Sequence, residues 1–202
     1  MAEKLLIPLE KYLSSGIRIG SKFKTKYMEE FIYKIRPDGL AILNANKIDK
    51  RLKIAINMLA RYEPDEIMVV CRRDNGISAV KKLGEVTGMN VIPGRYLPGT
   101  LTNTSYEFYK EAKILLACDP WVDRNAIEDA VKVNIPVIAI CDTNNTPNNV
   151  DLIIPGNNKG RKSLATMMWI IAREYLKRKG MIKTDEEFKY TINEFMGEQK
   201  EK

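Results

Sequence analysis

The chain contains no histidine. That absence removes the imidazole general base, the Ser-His-Asp and Cys-His nucleophile arrangements, and every histidine-ligated zinc site. Catalysis would have to rest on carboxylates, lysine or a cofactor. Cysteine is scarce too. Cys71, Cys118 and Cys141 each close an apolar run, and no Cys-x-x-Cys pair supports a thiolate metal site. An odd count in such places predicts buried free thiols in a reducing compartment. No apolar stretch approaches the roughly 18 residues that cross a bilayer, and Met1-Ala-Glu-Lys4 lacks the apolar core of a signal peptide. A cytoplasmic protein without a membrane partner is expected.

What the chain does hold is an ordinary globular composition with an excess of positive charge. Its 202 residues are 45% hydrophobic and 29% charged, with 33 basic residues against 26 acidic. That length corresponds to roughly one to two domains, enough to bury a core without disulfides or metals. The net charge of +7 points to an anionic partner. The excess is uneven. Residues 159–183 carry eight basic residues and only Glu174 as an acid, whereas residues 1–36 carry eight basic and four acidic residues. The last nineteen residues are net acidic. Each basic stretch reads either as a solvated helix face or as an RNA footprint.

Short Ile- and Val-rich runs recur at Gly39 to Leu43, Glu66 to Cys71, Met89 to Ile92, Lys113 to Cys118, Ile135 to Cys141 and Leu152 to Ile154. They are continuous rather than alternating, as in strands buried on both faces. Helical patterns separate most of them. Ile48, Leu52, Ile56 and Leu59 share a face behind Asn46 and Asp49 at cap and first-turn positions. Gly76 to Thr87 and Asp123 to Val133 read as two further helices, the latter with Ala126, Ile127, Ala130 and Val131 on one side. This alternation predicts a doubly wound α/β domain over residues 37–180. Residues 1–36 form a basic N-terminal extension in which Phe23, Tyr27 and Phe31 fall on one helical face. Residues 181–202 form an amphipathic C-terminal helix and charged tail, with Thr184-Asp-Glu-Glu187 as capping box ahead of Phe188, Ile192 and Phe195. Both apolar faces are expected to pack on the core, the other possibility being a neighbouring protein.

An α/β sheet raises the question of a nucleotide. No Gly-x-Gly-x-x-Gly occurs. Gly94 to Gly99 has the glycine spacing of a Walker loop without its lysine. Gly156-Asn-Asn-Lys-Gly160-Arg-Lys162-Ser163 follows a strand and opens a helix, but it is one residue short between its glycines. That loop stays open to three readings: a nucleotide or sugar-phosphate site of an enzyme, a plain connection, or a contact with an RNA phosphate. Asp119, Asp123 and Asp142 lie where an active site would be. Capping by Asp123 and turn chemistry through Asp142 to Pro147 explain them without catalysis.

Five motifs then occur in a fixed order. They are Leu13-Ser-Ser-Gly16-Ile-Arg18-Ile-Gly20 with Met28, Phe31-Ile-Tyr33, Arg36 and Asp38-Gly39; Pro93 to Asn103; Asp119-Pro120 with Ala126-Ile127 and Ala130; Ile135 to Asn144; and Val150-Asp151, Ile154-Pro155 and Asn157 to Ser163. Together they resemble the small-subunit ribosomal protein S-two family over about residues 9–178. The family's usual histidine is replaced by Arg18, and its frequent arginine by Trp121. Only Thr104 to Cys118 separates Asn103 from Asp119, too short for the coiled-coil insertion of bacterial members. The eukaryotic acidic tail is missing before Lys202. An archaeal member is expected.

The resemblance implies a flavodoxin-like, five-stranded parallel sheet. It also implies a place on the small ribosomal subunit among ribosomal RNA and neighbouring ribosomal proteins, with no catalytic activity, cofactor or small-molecule substrate. The cations expected to meet RNA phosphates are Arg18, Lys22, Lys24 and Lys26, Arg95, and Lys159, Arg161 and Lys162. With six apolar runs for five strands, Met89 to Ile92 is the run expected to be short.

Overall fold

The computed structural model describes residues 5–197. Five strands form one parallel sheet: β3 (Ile67–Cys71), β4 (Asn90–Pro93), β5 (Ile114–Ala117), β6 (Val137–Cys141) and β7 (Leu152–Pro155). Their spatial order is β4-β3-β5-β6-β7. This is the flavodoxin-like order, and it reverses direction between β3 and β5. The three inner strands are buried at every position, which is why their sequences run Ile/Val/Leu without alternation. Cys71 and Cys141 end β3 and β6, Cys118 directly follows β5, and all three are buried free thiols.

The helices follow from the same topology. They are α2 (Ala45–Leu59), α3 (Asp74–Thr87), α4 (Arg124–Lys132) and α5 (Arg161–Arg178), with short pieces α1 (Leu9–Ser14) and α6 (Ile192–Phe195). The crossovers through α3 and α4 leave β3 and β5 in opposite directions, so right-handed connections set these two helices on opposite faces. On one face α5 packs against both α2 and α3. It is buried nearly all round from Ser163 to Arg173, and so shows no polar stripe. On the other face α4 buries Ala126, Ile127 and Ala130, while Val131 points out. The buried Asp129 holds the loop that follows β4, accepting bonds from Tyr96 Oη (3.1 Å) and the Gly99 amide (2.8 Å).

Four local expectations are corrected. The run without a place in the sheet is Gly39 to Leu43, whereas Met89 to Ile92 supplies the edge strand β4. Ala41–Leu43 (β2) instead pairs antiparallel with Ile32–Ile35 (β1) in a separate hairpin. The turn at Pro37-Asp38-Gly39 drives this: Gly39 sits at φ +85° and the Leu40 amide donates to Asp38 Oδ1 (3.1 Å). The 23–31 segment is no amphipathic helix. It is an extended stretch followed by a 3-10 turn at Lys26–Phe31 that buries Met28 and Phe31 and leaves Phe23 and Tyr27 outside. At the C-terminus the capping box is Thr191 with Glu194, not Thr184 with Glu187. Phe188 and Phe195 are buried as expected. The N-cap of α2 is likewise Asn44, whose side chain accepts from the Asn46 amide (3.0 Å).

Candidate nucleic-acid interface

All five sheet strands point the same way, so their carboxyl ends form one edge of the molecule. Every cation singled out in the sequence beyond the N-terminal segment follows such an end or the helix that opens there. Arg95 follows β4, Lys159 follows β7, and Arg161 and Lys162 begin α5. The N-terminal segment is brought to the same edge by hydrogen bonds to the loop after β6. The Ser21 amide donates to Thr143 Oγ1 (2.8 Å), the Thr25 amide to the Thr143 carbonyl (2.9 Å), and Thr25 Oγ1 to the Asn145 carbonyl (2.8 Å). The approach is so close that a Cβ on Gly20 would lie 2.6 Å from Thr143 Cγ2. Residues 122 apart in sequence thus frame an open cleft of about 510 Å³, lined among others by Lys22, Phe23, Leu40, Asn157 and Lys159.

The eight cations divide into two groups. Lys22, Lys24, Lys26, Arg95 and Lys162 are exposed and have no ion-pair or side-chain hydrogen-bond partner among the described residues. The other three are engaged by the protein itself. Arg18 donates through Nε to the Leu43 carbonyl (2.9 Å) and lies over the Tyr33 ring. Lys159 Nζ bonds Asp142 Oδ2 (2.8 Å) and Asn144 Oδ1 (2.9 Å). Arg161 Nε donates to the Met196 carbonyl (2.8 Å) at the end of α6. Much of the positive excess in 159–183 is spent likewise. Arg173 is buried against Glu174 (2.8 Å) and the Trp169 ring, and Lys179 reaches Glu63 (2.8 Å).

Sequence reasoning passed over Arg72, Arg73 and Arg124, and noted Trp121 only as a departure. All four lie at the middle of the edge, just beyond β3 and β5. Their signal was position: two arginines directly follow a buried strand. Arg72 is exposed, as is Trp121 at 63%. Arg73 turns inward, and its Nε donates to Asp119 Oδ2 (2.6 Å). Asp119 is wholly buried and accepts further bonds through Oδ1, from the Trp121 amide (2.9 Å) and Asn145 Nδ2 (3.1 Å). Asp123 stands at the N-cap position of α4, but its carboxylate does not cap that helix. It ties the two strand ends, accepting from the Arg72 amide (2.9 Å) and the Asp119 amide (3.0 Å). Burial pushes the Asp123 carboxyl up to about 7, against those two amides, which favour the ionised form. The β3/β5 reversal is where a flavodoxin-like sheet opens its ligand crevice. Here that position is filled by the chain's own Arg73, Asp119, Asp123 and Asn145. At the Gly156 loop, Asn157 and Lys159 are likewise bonded within the protein: Asn157 Oδ1 accepts from the Lys159 amide (2.9 Å) and the Gly160 amide (3.1 Å).

The family model described as Ribosomal protein S2 matches residues 12–110 and 104–177. The chain is 51% identical over 195 residues to the small ribosomal subunit protein uS2 of Thermoplasma acidophilum, covering 96% of this chain and 98% of that one. It is 48% identical over 190 residues to the protein of the same name from Nanoarchaeum equitans, covering 94% of each. Against that of Methanococcus maripaludis strain C6 it is 47% identical over 188 residues, covering 93% of this chain and 85% of that one.

Proposed function

The chain belongs to the ribosomal protein S2 family, and from that premise we propose that it is a structural constituent of an archaeal small ribosomal subunit, seated on ribosomal RNA and neighbouring ribosomal proteins in the cytoplasm. The observation that carries the reading is the carboxyl edge of the sheet. It is cationic and exposed where RNA would meet it, and closed at the one position where a sheet of this order binds a small molecule. In this role the chain places RNA and performs no chemistry. Residues 37–180 act as the frame, and the segments before and after it pack on that frame through Tyr12, Ile17, Met28 and Phe31 and through Phe188 and Phe195. The contacts are made by Lys22, Lys24, Lys26, Arg95 and Lys162, joined by Arg72. Arg18, Lys159 and Arg161 act chiefly by holding the loops that present them.

Sedimentation of a native lysate at low magnesium tests this. The protein should travel with the small subunit and leave it on a high-salt wash, because phosphate contacts weaken steeply with salt. A protein found only at the top of the gradient would overturn the assignment. The nucleotide-enzyme alternative would then be tested by thermal shift with nucleotides, where saturating ligand adds about 2.7 kcal/mol at a hundred times its dissociation constant.

A further inference from the structure

Large aromatic side chains are usually among the most buried in a fold. Phe23 and Tyr27 break this pattern, at 79% and 62% exposed, while Phe31, four residues on, is 2% exposed. Their sequence context is Lys22-Phe23-Lys24-Thr25-Lys26-Tyr27, a lysine at every second position. The backbone beneath Phe23 is held in place. The Phe23 carbonyl accepts from Thr143 Oγ1 (3.1 Å), and the Ser21 and Thr25 amides are bound to the same threonine on either side. The ring is therefore presented from a fixed main chain, at the rim of the 510 Å³ cleft that Lys22 and Lys159 also line.

We propose that residues 22–27 are a stacking platform for unpaired RNA. Phe23 and Tyr27 each take the face of a splayed base, and Lys22, Lys24 and Lys26 take the flanking phosphates. The proposal rests on the ribosomal reading above and deepens it by naming the form of RNA recognised. A duplex offers no free base face to a ring, since its bases are stacked and its major groove is too deep and narrow for side chains. A protein partner fits the strip less well, because the cores of protein interfaces are depleted of lysine. Alternating cations and exposed rings complement a chain of alternating phosphates and bases.

The test compares the full chain with its Phe23→Ala and Phe23→Trp variants, reading fluorescence anisotropy on a short oligouridine and on a blunt RNA duplex across a salt series. The same variants are then assayed for retention in small subunits. Because Phe23 is exposed, its replacement leaves the fold intact. Phe23→Ala should weaken oligouridine binding roughly tenfold without altering the salt slope, Phe23→Trp should restore it, and duplex binding should not change. An unchanged oligouridine affinity, or an equal loss on duplex, overturns the platform. If oligouridine binding is unchanged but Phe23→Ala abolishes retention in the subunit, the face docks a protein: the platform fails and the ribosomal reading stands. Should the unmodified chain not enter subunits at all, the ribosomal reading fails, and the oligouridine comparison still decides the platform.

Discussion

Two regions at the same end of the sheet use charge in opposite ways. At the junction of β3 and β5, Arg73 and the carboxylates of Asp119 and Asp123 face inward and bind one another or nearby amides. Along residues 22–26 the backbone is bound and the ammonium groups are left outside. The junction converts charge into a rigid frame of bonds between its own side chains and the strand ends. The strip keeps its charge for a polyanion. A count of lysines and arginines treats the two alike, while their partners separate them: charge already paired in the fold releases no counterions when RNA arrives.

The largest effect should come from breaking the closed region. Asp119→Ala strands the half-buried guanidinium of Arg73 and removes the acceptor of Asn145 and of the Trp121 amide. Loss of one member of a buried pair costs about 3–5 kcal/mol. Urea unfolding should register that loss, and a change under about 1 kcal/mol would mean the junction is no frame. Next comes pH. Asp123, ionising near 7 in the folded chain against an ordinary 3.8, keeps a proton that the unfolded chain has already released. The native state binds more protons across that interval, so its contribution is complete at the acid end and is lost as pH rises through about 7. Stability should decline by roughly 2–4 kcal/mol between pH 4 and 7. The Asp123→Asn variant should flatten the decline. Asp129 acts in the other sense. Burial alone would raise its carboxyl, but the Gly99 amide, Lys132 and Tyr96 hold it below its ordinary 3.8, so its effect is confined to the acid side of that value.

The sheet was legible in the sequence because burial on both faces leaves a continuous Ile/Val signal, and all five strands were read with nearly their observed bounds. The hairpin was legible in principle, through Pro37-Asp38-Gly39, yet its second strand looks the same as a sheet strand when only apolarity is read. The spacing of Phe23, Tyr27 and Phe31 does fit a helix. What overrides it is Thr143, a residue 120 positions away whose bonds hold residues 21–25 extended, and local periodicity carries no trace of that. Thr184 and Thr191 both stand three residues ahead of a glutamate. Each is followed four residues on by a buried phenylalanine, Phe188 or Phe195, so the local pattern does not choose between them. The candidate site was legible as positions and not as roles. Sequence identifies where cations cluster, but whether Lys159 meets Asp142 or a phosphate depends on two loop geometries at once.

The smallest effects separate the two uses of charge most sharply, because they should cross. Lys159→Ala removes the partner of a buried Asp142 carboxylate and a bond to Asn144, at a cost of about 1–2 kcal/mol once the 40% exposure of the lysine side chain is allowed for. Its effect on the salt dependence of RNA binding should be small. Replacing Lys22, Lys24 and Lys26 together by alanine touches no internal bond and should leave unfolding within about 0.5 kcal/mol of the parent. It should nevertheless lower the salt slope on single-stranded RNA by about two, at roughly 0.7 per phosphate contact. Stability falls in one variant and salt sensitivity in the other. If Lys159→Ala lowered the slope by as much per charge as the triple variant, Lys159 would have to exchange Asp142 for phosphate on binding. The loop after β7 would then belong with the open strip and not with the frame.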